Sequence, residues 1–376
     1  MTWDKEKFDR IVEGIDASAD SIADHLSREE IESAMTNLDS AVLHSMLHAL
    51  LKFGLFDKDE KHAFEAVLEK GKISPKFNWL VQRWIIKLTE AGLLLESPEG
   101  HLSCPKKTNG EIIAQFWAGA DDIWTNKISP EFTAYVRSNT EKLPELLGEQ
   151  IHPLSLLFPD GRYNFIRSLY FDNLMANYLN RCICKLLQRI AGDHKGKVLR
   201  ILEIGAGTGA TTEKVLKALE SFEIQYLFTD VASAFVTRAK SRFDTFHGIH
   251  FSVFNIDEDL RTQGLTPNSF DIVLAAGVLE NARDIPESMN RVAELICPGG
   301  WFVFTEPTKE HSWILASQAF MMTEPTDSLR TETSYLDREA WINLLKEYGD
   351  ESILFLPDLK HKLSPMGVHL FAKRFH

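Results

Sequence analysis

Residues 201–212 read ILEIGAGTGATT. An apolar run carrying one acid leads into glycines at alternate positions, Gly205, Gly207 and Gly209. The preceding VLRILEIG (198–205) has the composition of a buried strand, and Thr211–Leu219 has the spacing of a helix. A strand, a glycine-rich turn and a helix form the nucleotide-binding element of doubly wound folds. Glycine permits positive φ and lets a ligand approach the backbone.

The spacing also satisfies G-x-G-x-x-G/A with Ala210 in the last place, so the loop alone leaves NAD and S-adenosylmethionine both open. Three neighbouring segments favour the second. Glu203 stands two residues before the first glycine, where a carboxylate suits a cationic ligand and repels a pyrophosphate. Asp230, followed by Val231, ends a second strand, and an acid there can accept hydrogen bonds from ribose hydroxyls. Asn255-Ile256-Asp257 ends a third strand, where a polar group can read an adenine amino group. The ordinary role of acids at strand ends is loop solvation or capping. Three of them at successive strand ends shift the balance toward function.

From residue 198 onward strands and helices alternate. Strands are expected at 224–230, 249–255, 270–279 and 299–306, with two more in ILFLP and GVHLFAKRF near the end. Helices are expected at 232–243, 285–295 and 336–348. The pattern implies an α/β fold with a doubly wound, mostly parallel seven-stranded sheet. The first half reads differently. Residues 1–35 suggest one or two peripheral helices, and Leu38, Val42, Met46, Leu50 and Phe53 mark one apolar helical face stopped by Gly54. Ser74 is a candidate cap and Pro75 a first helical residue for a helix over Phe77–Leu88. Leu93–Glu96 and His101–Cys104 flank the turn Ser97-Pro98-Glu99-Gly100 and predict a small hairpin. Helices followed by a hairpin make a winged-helix-like unit. The stretch 105–160 is expected to be mostly helical, and 163–191 to be a long helix rich in aromatic residues at its start.

Composition narrows the classes. The chain has 376 residues, 44% hydrophobic and 25% charged, with a net charge of −13. The length calls for two or three units. The acidic balance argues against a nucleic-acid backbone as partner. No apolar run reaches membrane-spanning length, and MTWDKEKFDRIVEG has no signal-peptide core. Cys104, Cys182, Cys184 and Cys297 form no paired C-x-x-C motif, so no metal site is indicated, and scattered thiols fit a cytoplasmic location.

Taken together, LEIGAGTGATT, YLFTDVASAFVTRAKSRF, FNIDEDL, FDIVLAAGVLENARDI and LICPGGWFVFTE resemble a class I S-adenosylmethionine-dependent methyltransferase with a Rossmann-like sheet. More narrowly, they resemble the methyltransferase domains of polyketide synthases and mixed peptide–polyketide assembly lines. LDSAVLHSMLHALLKFGLF, PKFNWLVQRWIIKLTEAGLL and HPLSLLFPDGRYNFIRSLYFDNLMANYLNR are similar to the lid region of those domains. The resemblance implies a helical lid and substrate domain over 1–160, connecting lid helices over 161–195 and a catalytic domain over 196–376. It implies S-adenosylmethionine as cofactor, and an acyl carrier protein or carrier-bound acyl thioester as partner. Glu203, Gly205, Gly207, Gly209, Asp230 and Val231 fall at its cofactor positions, and Asn255, Ile256 and Asp257 at its adenine side. Tyr170 and Tyr178 fall in the lid stretch.

One departure concerns the chemistry. Carbon-methylating relatives carry a catalytic histidine in a V-L-H-A-T segment; here the segment is Val278-Leu279-Glu280-Asn281-Ala282. Glu280 is the candidate base, Glu306 a second carboxylate able to raise its pKa, and His311 an alternative imidazole. The missing histidine tilts the expectation toward a hydroxyl acceptor. Competing readings are a catalytically silent scaffold, an NAD-dependent oxidoreductase and a winged-helix DNA-binding regulator. The acyl group, the methylated atom and the oligomeric state are not legible.

Overall fold

The computed structural model describes residues 12–17, 19, 21–56, 60–105, 108–157, 173–194, 196–349 and 352–375. The chain divides into two compact units. One comprises residues 1–24, 170–309 and 325–376; the other comprises 25–169 and 310–324.

The first unit is built on a seven-stranded sheet. Its strands are β1 (Leu199–Ile204), β2 (Ile224–Asp230), β3 (Ile249–Val253), β4 (Phe270–Ala276), β5 (Ile296–Pro307), β6 (Ile353–Leu356) and β7 (Val368–Arg374). Their spatial order is β3-β2-β1-β4-β5-β7-β6. Neighbouring strands pair in parallel except β7, which runs antiparallel to both β5 and β6. The order reverses between β1 and β4, the switch point at which doubly wound sheets bind ligands.

Both faces of the sheet are covered, as near-continuous apolar strands require. One core cluster gathers Leu202, Ile204, Val273, Ala275, Phe302, Phe304 and Phe371 from the sheet against two helices. These are α8 (Ile285–Leu295) and α9 (Arg338–Lys346), the latter through Trp341. Further helices of this unit are α5 (Leu174–Asp193), α6 (Ala210–Ala218) and α7 (Ser233–Arg242). β4 ends at Ala276, three residues short of the expected 279, because Gly277 turns the chain at φ +68°. β5 runs longer than expected, through 296–307.

The second unit is mostly helical. Its longer helices are α1 (Arg28–Lys52), α2 (Asn78–Glu90), α3 (Gly110–Ile123) and α4 (Pro130–Glu141), with shorter pieces between and after them. The expected apolar face of α1 is buried at Leu38, Val42, Met46 and Leu50. The helix starts ten residues earlier than that face because Ser27 and Glu30 form a capping box. Ser74, expected to cap α2, instead donates its hydroxyl to Glu149 Oε2 at 2.7 Å. A single 3-10 turn, Pro75–Phe77, lies between it and the helix. The expected hairpin is present but short, pairing Leu95–Glu96 with Leu102–Ser103. The expected long helix over 163–191 is described from Leu174 onward; its aromatic start, with Tyr163, Phe165, Tyr170 and Phe171, lies outside the described residues.

Candidate active site

The glycine loop joins β1 to α6, and all three glycines take positive φ: +61° at Gly205, +55° at Gly207 and +76° at Gly209. Their surroundings differ. A Cβ on Gly205 would lie 2.6 Å from Val278 Cγ2, and one on Gly209 would lie 2.7 Å from the Phe243 ring. A Cβ on Gly207 would meet nothing nearer than Gly205 O at 3.9 Å. The outer glycines therefore serve packing, and the middle one keeps open space over the loop, as close approach of a ligand requires.

Asp230, at the end of β2, reaches back to this loop. Its Oδ2 accepts the Gly207 amide at 2.8 Å and its Oδ1 the Ala232 amide at 2.8 Å. Burial raises its pKa against the opposing pull of those amides. The next residue, Val231, is 65% exposed, an apolar side chain left uncovered beside the loop.

Glu203 behaves differently from a carboxylate simply aimed at a ligand. It is 1% exposed, and its Oε2 accepts hydrogen bonds from Thr212 at 2.5 Å and Tyr226 at 2.6 Å. Burial pushes its pKa up to about 7, against those two bonds and with help from nearby Asp230. Oε1 receives no hydrogen bond from the described residues. Thr212 and Tyr226 were not singled out from sequence. Their signal, a polar residue at an interior position of a helix and of a strand, is meaningful only once Glu203 is known to lie between them.

The segment after β3 is a turn that uses its own polar groups. Asn255 Oδ1 accepts the Asp257 amide at 3.0 Å, and Asp257 Oδ1 accepts the Arg283 amide at 3.0 Å. The Ile256 side chain packs in the core of the sheet unit.

The residues expected to do chemistry divide between the units. Glu280 and Glu306 lie together in the sheet unit, at the C-terminal ends of β4 and β5. Glu306 is 1% exposed; its Oε1 accepts the Val278 and Leu279 amides at 3.0 and 2.8 Å, and its Oε2 the Glu280 amide at 3.0 Å. Glu280 is 6% exposed, and burial raises its pKa to about 7 against a hydrogen bond with Asn281. Burial and the facing Glu280 raise Glu306 as well. Two buried carboxylates do not both ionise readily, so the pair holds one proton near neutrality. Three amides favour the charged form of Glu306, against burial and the facing Glu280, which together raise it well above the ordinary carboxylate value.

His311 belongs to the helical unit. It is 1% exposed, with Nδ1 2.9 Å from Asp39 Oδ2, while Asp39 Oδ1 accepts the Ser312 amide at 2.8 Å. Asp39, 272 residues away in sequence, was invisible as its partner. Tyr178 is fully buried and donates to Asp16, so its hydroxyl is committed within the sheet unit. Tyr170 lies outside the described residues.

Residues 202–302 match the methyltransferase domain family. The chain is 32% identical over 333 residues to pyochelin synthetase PchF of Pseudomonas aeruginosa (strain UCBPP-PA14), covering 86% of this chain and 18% of that protein. It is 25% identical over 337 residues to polyketide synthase ThaQ of Burkholderia thailandensis, covering 85% of this chain and 16% of that protein. The chain thus spans less than a fifth of the length of these relatives. Its fold is similar to that of the CurJ carbon methyltransferase, with a TM-score of 0.85 at 22% identity over 97% of this chain and 98% of that one. The strand order and the glycine loop are those of a class I methyltransferase fold, and the matched domain lies within it. Residues 202–302 thus carry a methyltransferase domain, and the chain as a whole is similar to a segment of pyochelin synthetase PchF and of polyketide synthase ThaQ.

Proposed function

We propose that this chain methylates a carrier-tethered acyl intermediate of a polyketide or peptide–polyketide assembly line, with Glu280 as the base. The observation that carries the reading is the buried pair of carboxyls, one held by three backbone amides and the other poised near neutrality.

The groups for the cofactor are at hand. Gly207 leaves room above the loop, Asp230 holds that loop in shape while standing beside it, and Glu203 Oε1 offers negative charge to an ammonium. Val231 offers an apolar surface for an adenine. Bound S-adenosylmethionine supplies a methyl group on a sulfonium that leaves as a neutral thioether. The chain has to orient the acceptor and take its proton. Glu280 takes that proton on its carboxylate, and the electron pair freed on the acceptor forms the new bond to the methyl carbon. Glu306 keeps its three amide bonds through the step and so holds the turn that carries Glu280.

A hydroxyl acceptor, favoured by sequence for want of a histidine, has no support. A carboxyl raised to about 7 is matched to the proton transfer that an imidazole performs elsewhere. The neighbour at a TM-score of 0.85 is described as a carbon methyltransferase. The acceptor we propose is therefore a carbon activated by an adjacent carbonyl.

The test pairs a carrier-bound β-ketoacyl thioester with cofactor labelled in its methyl carbon, and reads the position of the label by NMR. Label on the carbon between the carbonyls is the expected result; label on oxygen, or no transfer, sinks the acceptor assignment. The rate should rise with pH through about 7 and then level, because the base works only when Glu280 has lost its proton. Glu280→Gln should lower it by ~10²-fold or more and remove that rise.

A further inference from the structure

We propose that Arg330 is a positioning residue that holds Glu280 in its working orientation; the inference rests on the reading of Glu280 as the base. The turn Val278–Arg283 is gripped from two sides. Its leading amides, at 278, 279 and 280, point at the Glu306 carboxylate. Its trailing carbonyls point at one guanidinium: Arg330 Nη1 donates to Glu280 O at 3.1 Å, and Nη2 to Ala282 O at 2.6 Å and Arg283 O at 3.2 Å. Glu280 is the residue common to both grips. Its N–H is tied to Glu306 and its C=O to Arg330, so both peptide groups flanking its Cα are fixed. The arrangement also suits the peptide dipoles of the single 3-10 turn Leu279–Asn281, with carboxyl oxygens at its N–H end and a cation at its C=O end.

Arg330 is itself immobilised. Its side chain is fully buried, and Nε and Nη2 both bond Asp327 Oδ2, at 2.9 and 2.6 Å. Asp327 in turn accepts the Ile285 amide at 3.2 Å, at the start of α8. Burial alone would raise the Asp327 carboxyl; the bonds and charge of Arg330 outweigh it and keep the carboxyl below its ordinary value. A buried ion pair is weak grounds for stability, since an apolar pair of similar volume often serves as well. A planar fork reaching three carbonyls of one turn has a geometric use that an apolar pair lacks.

Arg330→Lys keeps the charge and loses the fork. Its kcat should fall about ten- to a hundred-fold through misplacement of the base, with affinity for S-adenosylhomocysteine within about two-fold of the parent. In a Glu280→Gln background the same substitution should change the rate by no more than about two-fold, because its effect passes through Glu280. Equal losses in both backgrounds, or a loss of S-adenosylhomocysteine affinity matching the loss in kcat, overturn the positioning role and leave Glu280 as base. Full activity in Glu280→Gln alone overturns the base reading and with it the reason for the grip. If Arg330→Lys does not fold, Asp327→Asn slackens the same grip with the guanidinium retained, and the cycle is run with that variant.

Discussion

At Gly209 an added methyl group would press within 2.7 Å of the buried Phe243 ring, whereas at Gly207 it would enter open space. Both residues sit at positive φ, which costs a side-chain-bearing residue about 1–2 kcal/mol. Gly209→Ala adds a steric collision to that strain and should destabilise the sheet unit by roughly 3 kcal/mol. Gly207→Ala should cost only about 1 kcal/mol of stability, yet lower S-adenosylhomocysteine affinity more than Gly209→Ala does, because its methyl occupies the ligand's side of the loop. Thermal melts and calorimetric titrations of the two variants give opposite rankings if the assignment is right; the same ranking in both would mean that the cofactor does not lie over Gly207. The glycine spacing was legible in sequence because it is a local pattern, but the separate duty of each glycine was not. Val278 and Phe243, which set the limits at Gly205 and Gly209, come from elements far along the chain.

Glu203 shows the same limit at the scale of elements. It sits on β1, Thr212 on α6 and Tyr226 on β2, so one buried carboxyl ties together three elements that meet at the glycine loop. Its pKa in the folded chain is about 7 against an ordinary 4.5. Between those values the folded state keeps a proton that the unfolded state has lost, so stability falls as pH rises through the window. The full loss from this residue is on the order of 3 kcal/mol by pH 8. Glu203→Gln removes the titration and can still accept both hydroxyls through its amide oxygen. Relative to the parent it should gain about 2–3 kcal/mol more stability at pH 8 than at pH 5, measured by urea unfolding at both. An equal difference at the two pH values would mean that Glu203 is ionised throughout. The strands were legible here because parallel strands covered on both faces read as unbroken apolar runs. The turn that carries Glu280 was legible only as a departure from V-L-H-A-T. Its support from Arg330 and Asp327 was hidden in TDSLR, a loop segment with no periodicity and no motif, some fifty residues downstream.

For the whole chain, continuity in sequence is a poor guide to the compact units. Residues 1–24 belong with the sheet rather than with the helices that follow them, and 310–324, although they come directly after β5 and its approach, belong with the helices. The reason is packing rather than order along the chain. Ala19 and Ala23 are fully buried, and Asp16 accepts the hydroxyl of Tyr178, an equally buried side chain on α5. Lys362, near the end of the chain, stands 3.5 Å from Asp24. None of these partners is periodic with the segment itself, which reads as weakly amphipathic and peripheral. Their placement predicts the effect of shortening the chain. A version starting at residue 25 leaves the Tyr178 hydroxyl without its acceptor and uncovers apolar surface around α5, a loss of about 1–3 kcal/mol for the hydroxyl alone. Amide exchange should therefore quicken across α5 in the sheet unit, while α1–α4 of the helical unit keep the protection they have in the full chain. Faster exchange confined to the helical unit would instead show that the leading segment supports the helices, and the division of the chain would have to be redrawn.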